Sequence, residues 1–392
     1  MKVSAKKDRQ RGSRLMVRTE MEMDKKRLAD IVVGICNDVL FAEKGKTQDI
    51  KLPELSADEW NELLQFAANQ GVLPIIAHLF ADLEVEDAST RMVMVRWFVT
   101  AQKNRSRYYI RLQTMREMAA MFAAEGMDIM FLKGATLAQL YPNPEWRVFS
   151  DIDYYLYGES DKGIEVMKNA GIENSAYYHH HTQASLHDIL LENHYDFVER
   201  VNHKCDIVLD DALKALAEKE GRTKRAEYLG NDVKNAYVMT PSMNALFLMR
   251  HMSAHFVSET MPLRMIYDWI LFLKHNAQDV EWELVKELYV RSGMMQFASI
   301  IQQLIRTYMR CDSIDCPITS TQTHDVEKVW KSMIYPPKTD PYRKFSLKYY
   351  MFEARTFLAN KWKHKLVYKG ESYGVLFLKY AWLAIRKMTG RL

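Results

Sequence analysis

Apolar residues recur at three- and four-residue spacing along most of this chain, and in one stretch they do not. From Met23 to Phe41 the apolar positions Ile31, Val32, Ile35, Val39 and Leu40 form a single helical stripe. Ser56 followed by Glu59 is a capping box that predicts a helix through Trp60, Leu63, Leu64 and Ala67 to Gly71. A second helix is predicted over 73–83, and a long one from Ser89 to Glu125, stopped by Gly126. The rhythm then shortens. Met127–Lys133 and Ile152–Tyr157 read as strands, with helices predicted over Ala135–Tyr141 and Asp161–Ala170. Strand-like runs follow at Ser175–Thr182 and Ser185–Asp188, then at Ile189–Phe197. From Thr240-Pro241 onward the helical rhythm returns, with further helices predicted over 279–289 and 294–309 and a loop over 312–323.

This alternation predicts an α+β fold, a small mixed β-sheet core embedded between helical N- and C-terminal regions. It divides the chain into a basic tail expected to be disordered (1–22), a helical region (23–125), a sheet-bearing core (126–235), helices packing on it (236–330) and a basic, aromatic-rich helical segment (331–392).

Hydrophobic residues at 48% and charged residues at 27% are ordinary for a globular protein, and no apolar run reaches the roughly 18–20 residues of a membrane span. The four cysteines, Cys36, Cys205, Cys311 and Cys316, lack zinc-ribbon spacing and are expected to be reduced thiols of a cytoplasmic protein. The net charge of +4 conceals an asymmetry: +11 over 331–392 and +6 over 1–27 leave about −13 for 28–330. Basic residues interleaved with aromatics in 331–392 allow contact with a polyanion; a packing helix or a membrane-surface helix are the competing readings.

The chemistry concentrates between Phe131 and Leu156. In a strand, Asp151 and Asp153 put two carboxylates on one face, where they repel unless a cation sits between them. Oxygen ligands of this kind suit Mg²⁺. Upstream, a strand ends at Lys133-Gly134, where backbone amides are able to approach a phosphate with no Cβ in the way, and Arg147 lies four residues before Asp151. A phosphate cradle beside a metal pair is the equipment of phosphoryl or nucleotidyl transfer.

The stretch resembles the uncharacterised nucleotidyltransferase family of the DNA polymerase β-like superfamily. The residues that carry the resemblance are Leu132-Lys133-Gly134, Tyr141-Pro142, Arg147 and Asp151-Ile152-Asp153, and the likeness extends from about Trp60 to Leu304. It implies an enzyme moving an NMP from an NTP to a hydroxyl acceptor (small molecule, sugar, protein or nucleic acid), with Mg²⁺ or Mn²⁺ as cofactor. It also implies a third metal-site carboxylate on a later strand, matched here by Glu192 in Leu191-Glu192-Asn193-His194; Asp196, Asp206 and Asp210 are rivals, and Asp206 either lies in a short strand or opens the next helix. Asp151, Asp153 and Glu192 would be the catalytic and metal-binding residues. Lys133, Gly134, Ala135, Thr136 and Arg147 would hold the triphosphate. The superfamily's usual Gly-Gly or Gly-Ser pair is Gly134-Ala135 here, with Thr136 the nearest hydroxyl.

Other candidates remain beside this reading. Of His179, His180 and His181, at most two share a strand face, and one is a candidate for phosphate or substrate contact. His251 and His255 share a helix face at a spacing compatible with a metal, and are read mainly as packed or hydrogen-bonded histidines; Arg264 and Asp268 share the next helix face, where Asp268 is read as structural and Arg264 stays open between an ion pair and the base or acceptor side of the cleft. A phosphohydrolase using His251, His255 and Asp268, and a non-catalytic nucleotide-binding fold-mate, are the alternatives. The N-terminal third shows no chemistry of its own.

Overall fold

The structure, a computed structural model, describes residues 25–42, 50–81, 83–178, 180–200, 203–312, 314, 316–318, 324–335, 346–368 and 371–388. The predicted tail over 1–22, His179 and most of the 312–323 loop therefore lie outside the described residues. Helix α1 (25–40) buries Val32, Ile35, Val39 and Leu40. Ser56 and Glu59 cap α2 (Ala57–Asn69) reciprocally, an arrangement that contributes about 1 kcal/mol. The short α3 (Leu73–Ala77) breaks into a 3₁₀ turn at His78–Phe80.

Helix α4 (Ala88–Ala124) has 37 residues and so spans about 55 Å. Its first half buries Met94 and Ala101 in a helical core, and its second half buries Met115, Met118, Ala119 and Phe122 in a separate core against the sheet. The Met127 amide folds back onto the Phe122 carbonyl with Gly126 at φ +68, which ends the helix and delays β1 to Ile129–Phe131.

The six-stranded mixed sheet has the order β3-β4-β5-β2-β1-β6. Short α5 (Ala135–Ala138) and a 3₁₀ turn lead from β1 into β2 (Asp151–Tyr155), which stops where Tyr157 and Gly158 adopt positive φ. After α6 (Ser160–Asn169) come β3 (Asn174–Tyr177), β4 (His181–Leu186) and β5 (Ile189–His194). The first hairpin joins β3, ending at Tyr177, to β4, beginning at His181, so the chain reverses earlier than the sequence pattern predicts. The second hairpin turn is the pair His187-Asp188, both with left-handed φ (54 and 59), joining the paired residues Leu186 and Ile189. That two-residue geometry suits the strand twist but is usually signalled by Asn-Gly or Asp-Gly.

Helix α7 (Lys204–Glu220) resolves the placement of Asp206: it lies in the first helical turn, not in a strand. The chain then returns to the sheet as β6 (Ala236–Val238), parallel to β1. This strand is too short for periodicity to reveal, and it lies just past the 126–235 segment. Helices α8 (Pro241–Ser258), α9 (Leu263–Asn276), α10 (Trp282–Arg291), α11 (Met295–Thr307) and α12 (His324–Ile334) build the helical core. The C-terminal segment forms α13 (Leu347–Ala359), α14 (Lys361–Val367) and α15 (Tyr373–Met388). It docks on the body through Tyr368, which shares Arg250 with Asp206, while Lys363 and His364 turn inward and Lys348, Arg355, Lys361, Lys365 and Lys379 stay exposed. Among the described residues no helix is long and apolar enough to cross a membrane, and none of the four cysteines is in a disulfide.

Candidate active site

The period-2 alternation of β2 decides where the acids point. Ile152 and Tyr154 enter the core under α4, so Asp151 and Asp153 face the other way, on the side of Tyr155 and the helical core. Parallel pairing sets Asp153 directly beside Glu192 and Tyr155 beside His194, and antiparallel pairing sets Gln183 beside Glu192 and His181 beside His194. Three adjacent strands thus present one polar face, built from β2, β5 and β4.

On that face the Lys133 ammonium lies 3.1 Å from Asp153 Oδ1 and 3.4 Å from Asp151 Oδ2. His194 Nε2 lies 3.1 Å from the same Asp153 oxygen and 3.8 Å from Glu192. The Gln183 amide donates to Glu192 at 2.9 Å. Asp153 is 3% exposed, and its other oxygen, Oδ2, is buried with no hydrogen-bond partner among the described residues. Asp153, Glu192 and His194 each offer a ligand atom within 4.8 Å of the others, as do His180, His181 and His194. A divalent cation fits this donor set: it would satisfy the orphaned oxygen and offset the crowded carboxylates.

The charges are strongly coupled. Burial opposes the Lys133 charge, but Asp153, Asp151 and Glu192 outweigh it and hold the ammonium above its ordinary value. Burial likewise works against the His194 charge, yet its hydrogen bonds to Asp153 and Glu192 prevail and raise it to about 9. For Glu192 burial favours the neutral acid, and the contacts with His194, His181 and Lys133 reverse this and bring it down to about 2. His180, desolvated and next to two other imidazoles, falls to about 3, and burial lowers His181 as well.

The remaining sequence candidates separate into two groups. Gly134 adopts φ +63, and a Cβ there would come within 3.0 Å of the Phe149 ring, so only glycine suits this turn. Ala135 is buried behind it. Thr136 turns away: its hydroxyl lies 3.1 Å from Tyr228 Oη. Arg147 is not directed at the acids. Its guanidinium is 3% exposed, grips both oxygens of Asp268 at 2.7 and 2.8 Å, and donates to the Gly134 carbonyl at 3.0 Å. Tyr141 and Arg264 complete that network on Asp268. The rivals for the third acid are all engaged elsewhere: Asp206 with Arg250, Asp210 with the Phe197 amide and Arg200, Asp196 with Lys214. His251 and His255 pack edge to face and join no three-ligand group among the described residues.

One residue escaped the sequence pattern entirely. Arg111 of α4 is 8% exposed, its guanidinium sits over the Phe149 ring at 5.0 Å, and its Nε is buried without a partner. Burial and the neighbouring Arg107 lower its pKa, against the pull of Asp151. An arginine on the buried stripe of a long helix was the available signal.

Residues 56–310 match the model of a family described as uncharacterised nucleotidyltransferase. The chain belongs to this family. As a member it is a transferase of the nucleotidyltransferase class, and an NTP is the substrate that class implies. Neither the curated proteins nor the solved structures gave a match.

Proposed function

We propose that this nucleotidyltransferase is metal-dependent and moves an NMP from an NTP to a hydroxyl acceptor on the polar face of β2, β5 and β4. The observation that carries the reading is the buried, unpartnered Oδ2 of Asp153 beside Glu192 and His194. Asp151, Asp153 and Glu192 would hold the ion, Mg²⁺ or Mn²⁺. Bound there, a divalent ion supplies Lewis-acid charge to the phosphates and favours ionisation of the acceptor hydroxyl.

The chain's own residues do the rest. Gly134 lets the turn pack against the Phe149 ring, and the backbone amides of that turn would meet the phosphate. Lys133 shares its charge among the acids and would neutralise the leaving pyrophosphate. Arg111, a buried cation with no ion pair among the described residues, takes the phosphate-binding role expected of Arg147. Arg147 instead fixes the Gly134 carbonyl and so positions the turn. His194 donates Nδ1–H to the Asp196 carbonyl at 3.2 Å, which orients Nε2 towards Asp153. The phosphohydrolase alternative loses its acid, because Asp268 is already held by two arginines and a tyrosine.

Calorimetric titration of the four NTPs with Mg²⁺ or Mn²⁺ tests this. Metal-dependent binding of one NTP to the wild type, lost in the Asp151→Ala/Asp153→Ala variant, is expected. Equal binding by both proteins, or none at any ion concentration, overturns it.

A further inference from the structure

Next to the acids lies a set of groups of different chemistry. His181 opens β4 directly opposite His194 at the end of β5. His180 occupies the turn before β4, where its carbonyl accepts the amides of Tyr195 and Asp196 at 3.1 and 3.2 Å and so pins the turn to the end of β5. Consecutive strand residues would point to opposite faces, but the turn at His180 releases it from that alternation. The three rings gather with centroid separations of 4.3, 5.2 and 5.4 Å, and each offers a ring nitrogen within 4.8 Å of the other two.

The acids engage only part of this set: His194 Nε2 lies 3.1 Å from Asp153 and His181 Nε2 3.5 Å from Glu192. The Nδ1 atoms of both His180 and His181 are buried without a hydrogen-bond partner, and His181 is only 7% exposed. Unsatisfied buried imidazole nitrogens are costly unless something binds them. The Nδ1–H of His194 is committed to a backbone carbonyl, the arrangement that orients a metal-binding histidine, and an ion would take Nε2 in exchange for its contact with Asp153.

We propose that His180, His181 and His194 form a nitrogen-donor site for one divalent transition-metal ion of the Zn²⁺, Co²⁺ or Ni²⁺ class, distinct in preference from the carboxylates beside it. Imidazoles suit such ions, whereas Mg²⁺ keeps oxygen ligands and waters. Because His194 also contacts Asp153 and Glu192, an ion on the imidazoles alters the partners of both acids. The proposal stands without the nucleotidyl-transfer reading, since its readout is ion binding with no NTP present.

The test is a Co²⁺ titration of the metal-stripped full chain, followed by the visible absorption of nitrogen-bound Co²⁺ and by competition with Zn²⁺ and Mg²⁺. One Co²⁺ per chain is expected, displaced by Zn²⁺ and not by a large excess of Mg²⁺. The His180→Asn/His181→Asn variant should bind on the order of 100-fold more weakly, while His251→Asn/His255→Asn binds as the wild type does. Should the first variant fail to fold by circular dichroism, His180→Asn alone, in the half-buried turn, should still weaken binding about tenfold. Wild-type affinity in the folded His180/His181 variants, absence of Co²⁺ binding, or displacement by Mg²⁺ at comparable concentration overturns the proposal. Absence of NTP binding by the wild type, with Co²⁺ binding intact, overturns only the transferase reading.

Discussion

Two buried charge clusters lie on either side of the Gly134 turn, and they are built on opposite principles. Around Asp268 both carboxylate oxygens are matched: Arg147 holds the two, and Tyr141 and Arg264 add one bond each. Around Asp153 three carboxylates share one lysine and the imidazoles of His194 and His181, and one oxygen has no partner among the described residues. A matched buried network holds parts of a fold in register. A mismatched one lowers the stability of the ligand-free chain, and its unmatched groups are the ones available to a ligand. The difference assigns Arg147 to the scaffold and Asp153 to the chemistry, although both lie in the same short motif.

Removing an anion should therefore have opposite consequences in the two places. The largest effect is expected for Asp268→Ala, which leaves the buried Arg147 and the half-buried Arg264 beside each other without a counter-charge and costs about 3–5 kcal/mol. Urea and thermal melts would read it as a large drop in midpoint; a stability near that of the wild type would mean the two arginines find other partners. Asp153→Asn should do the reverse. It brings the acid cluster to two carboxylates against Lys133 and His194, so the melting temperature stays level or rises. Metal-dependent NTP affinity falls about 100-fold, or about 2.7 kcal/mol. A strongly destabilised Asp153→Asn with normal NTP binding would erase the distinction between the clusters.

How much of this the sequence reveals depends on the range of the interaction. The capping box at Ser56 and Glu59, the stripe of α1 and the paired acids of β2 follow from neighbours within four residues, and the structure contains all three. The register that puts Glu192 beside Asp153 joins residues far apart in sequence, and the family resemblance rather than periodicity pointed to it. What escaped is non-local. The guanidinium of Arg147 is taken by Asp268 from α9, 121 residues on, which no spacing near Asp151 reveals. Arg111 looks like one more position on a buried helical face until Phe149 and Asp151 are folded against it. The three imidazoles meet because β3 ends at Tyr177 and β4 begins at His181, a boundary that no glycine or proline signals.

Arg111 sharpens the comparison, because it is a buried cation on the unmatched side. Arg111→Gln removes a desolvated charge that has no ion pair among the described residues, so stability should hold or increase. NTP affinity should fall about tenfold, the size of one lost charge-assisted contact, roughly 1.4 kcal/mol. Parallel melts and NTP titrations separate the outcomes: a destabilised variant with unchanged affinity would move Arg111 into the scaffold with Arg147.

The smallest effect is expected for Tyr141→Phe. The tyrosine hydroxyl donates to Asp268 Oδ1 at 2.9 Å, but that oxygen also accepts from Arg147 Nε at 2.7 Å, so its loss leaves no orphaned acceptor. The cost should be about 0.5–1 kcal/mol in a melt, the net worth of one hydrogen bond whose partner stays satisfied. NTP affinity should not change if the matched network acts only as scaffold. A fall in affinity as large as that of Arg111→Gln would show the two clusters to be coupled, and the route is already visible: Arg147 holds the Gly134 carbonyl, so a loosened guanidinium would shift the turn on which the phosphate is expected to rest.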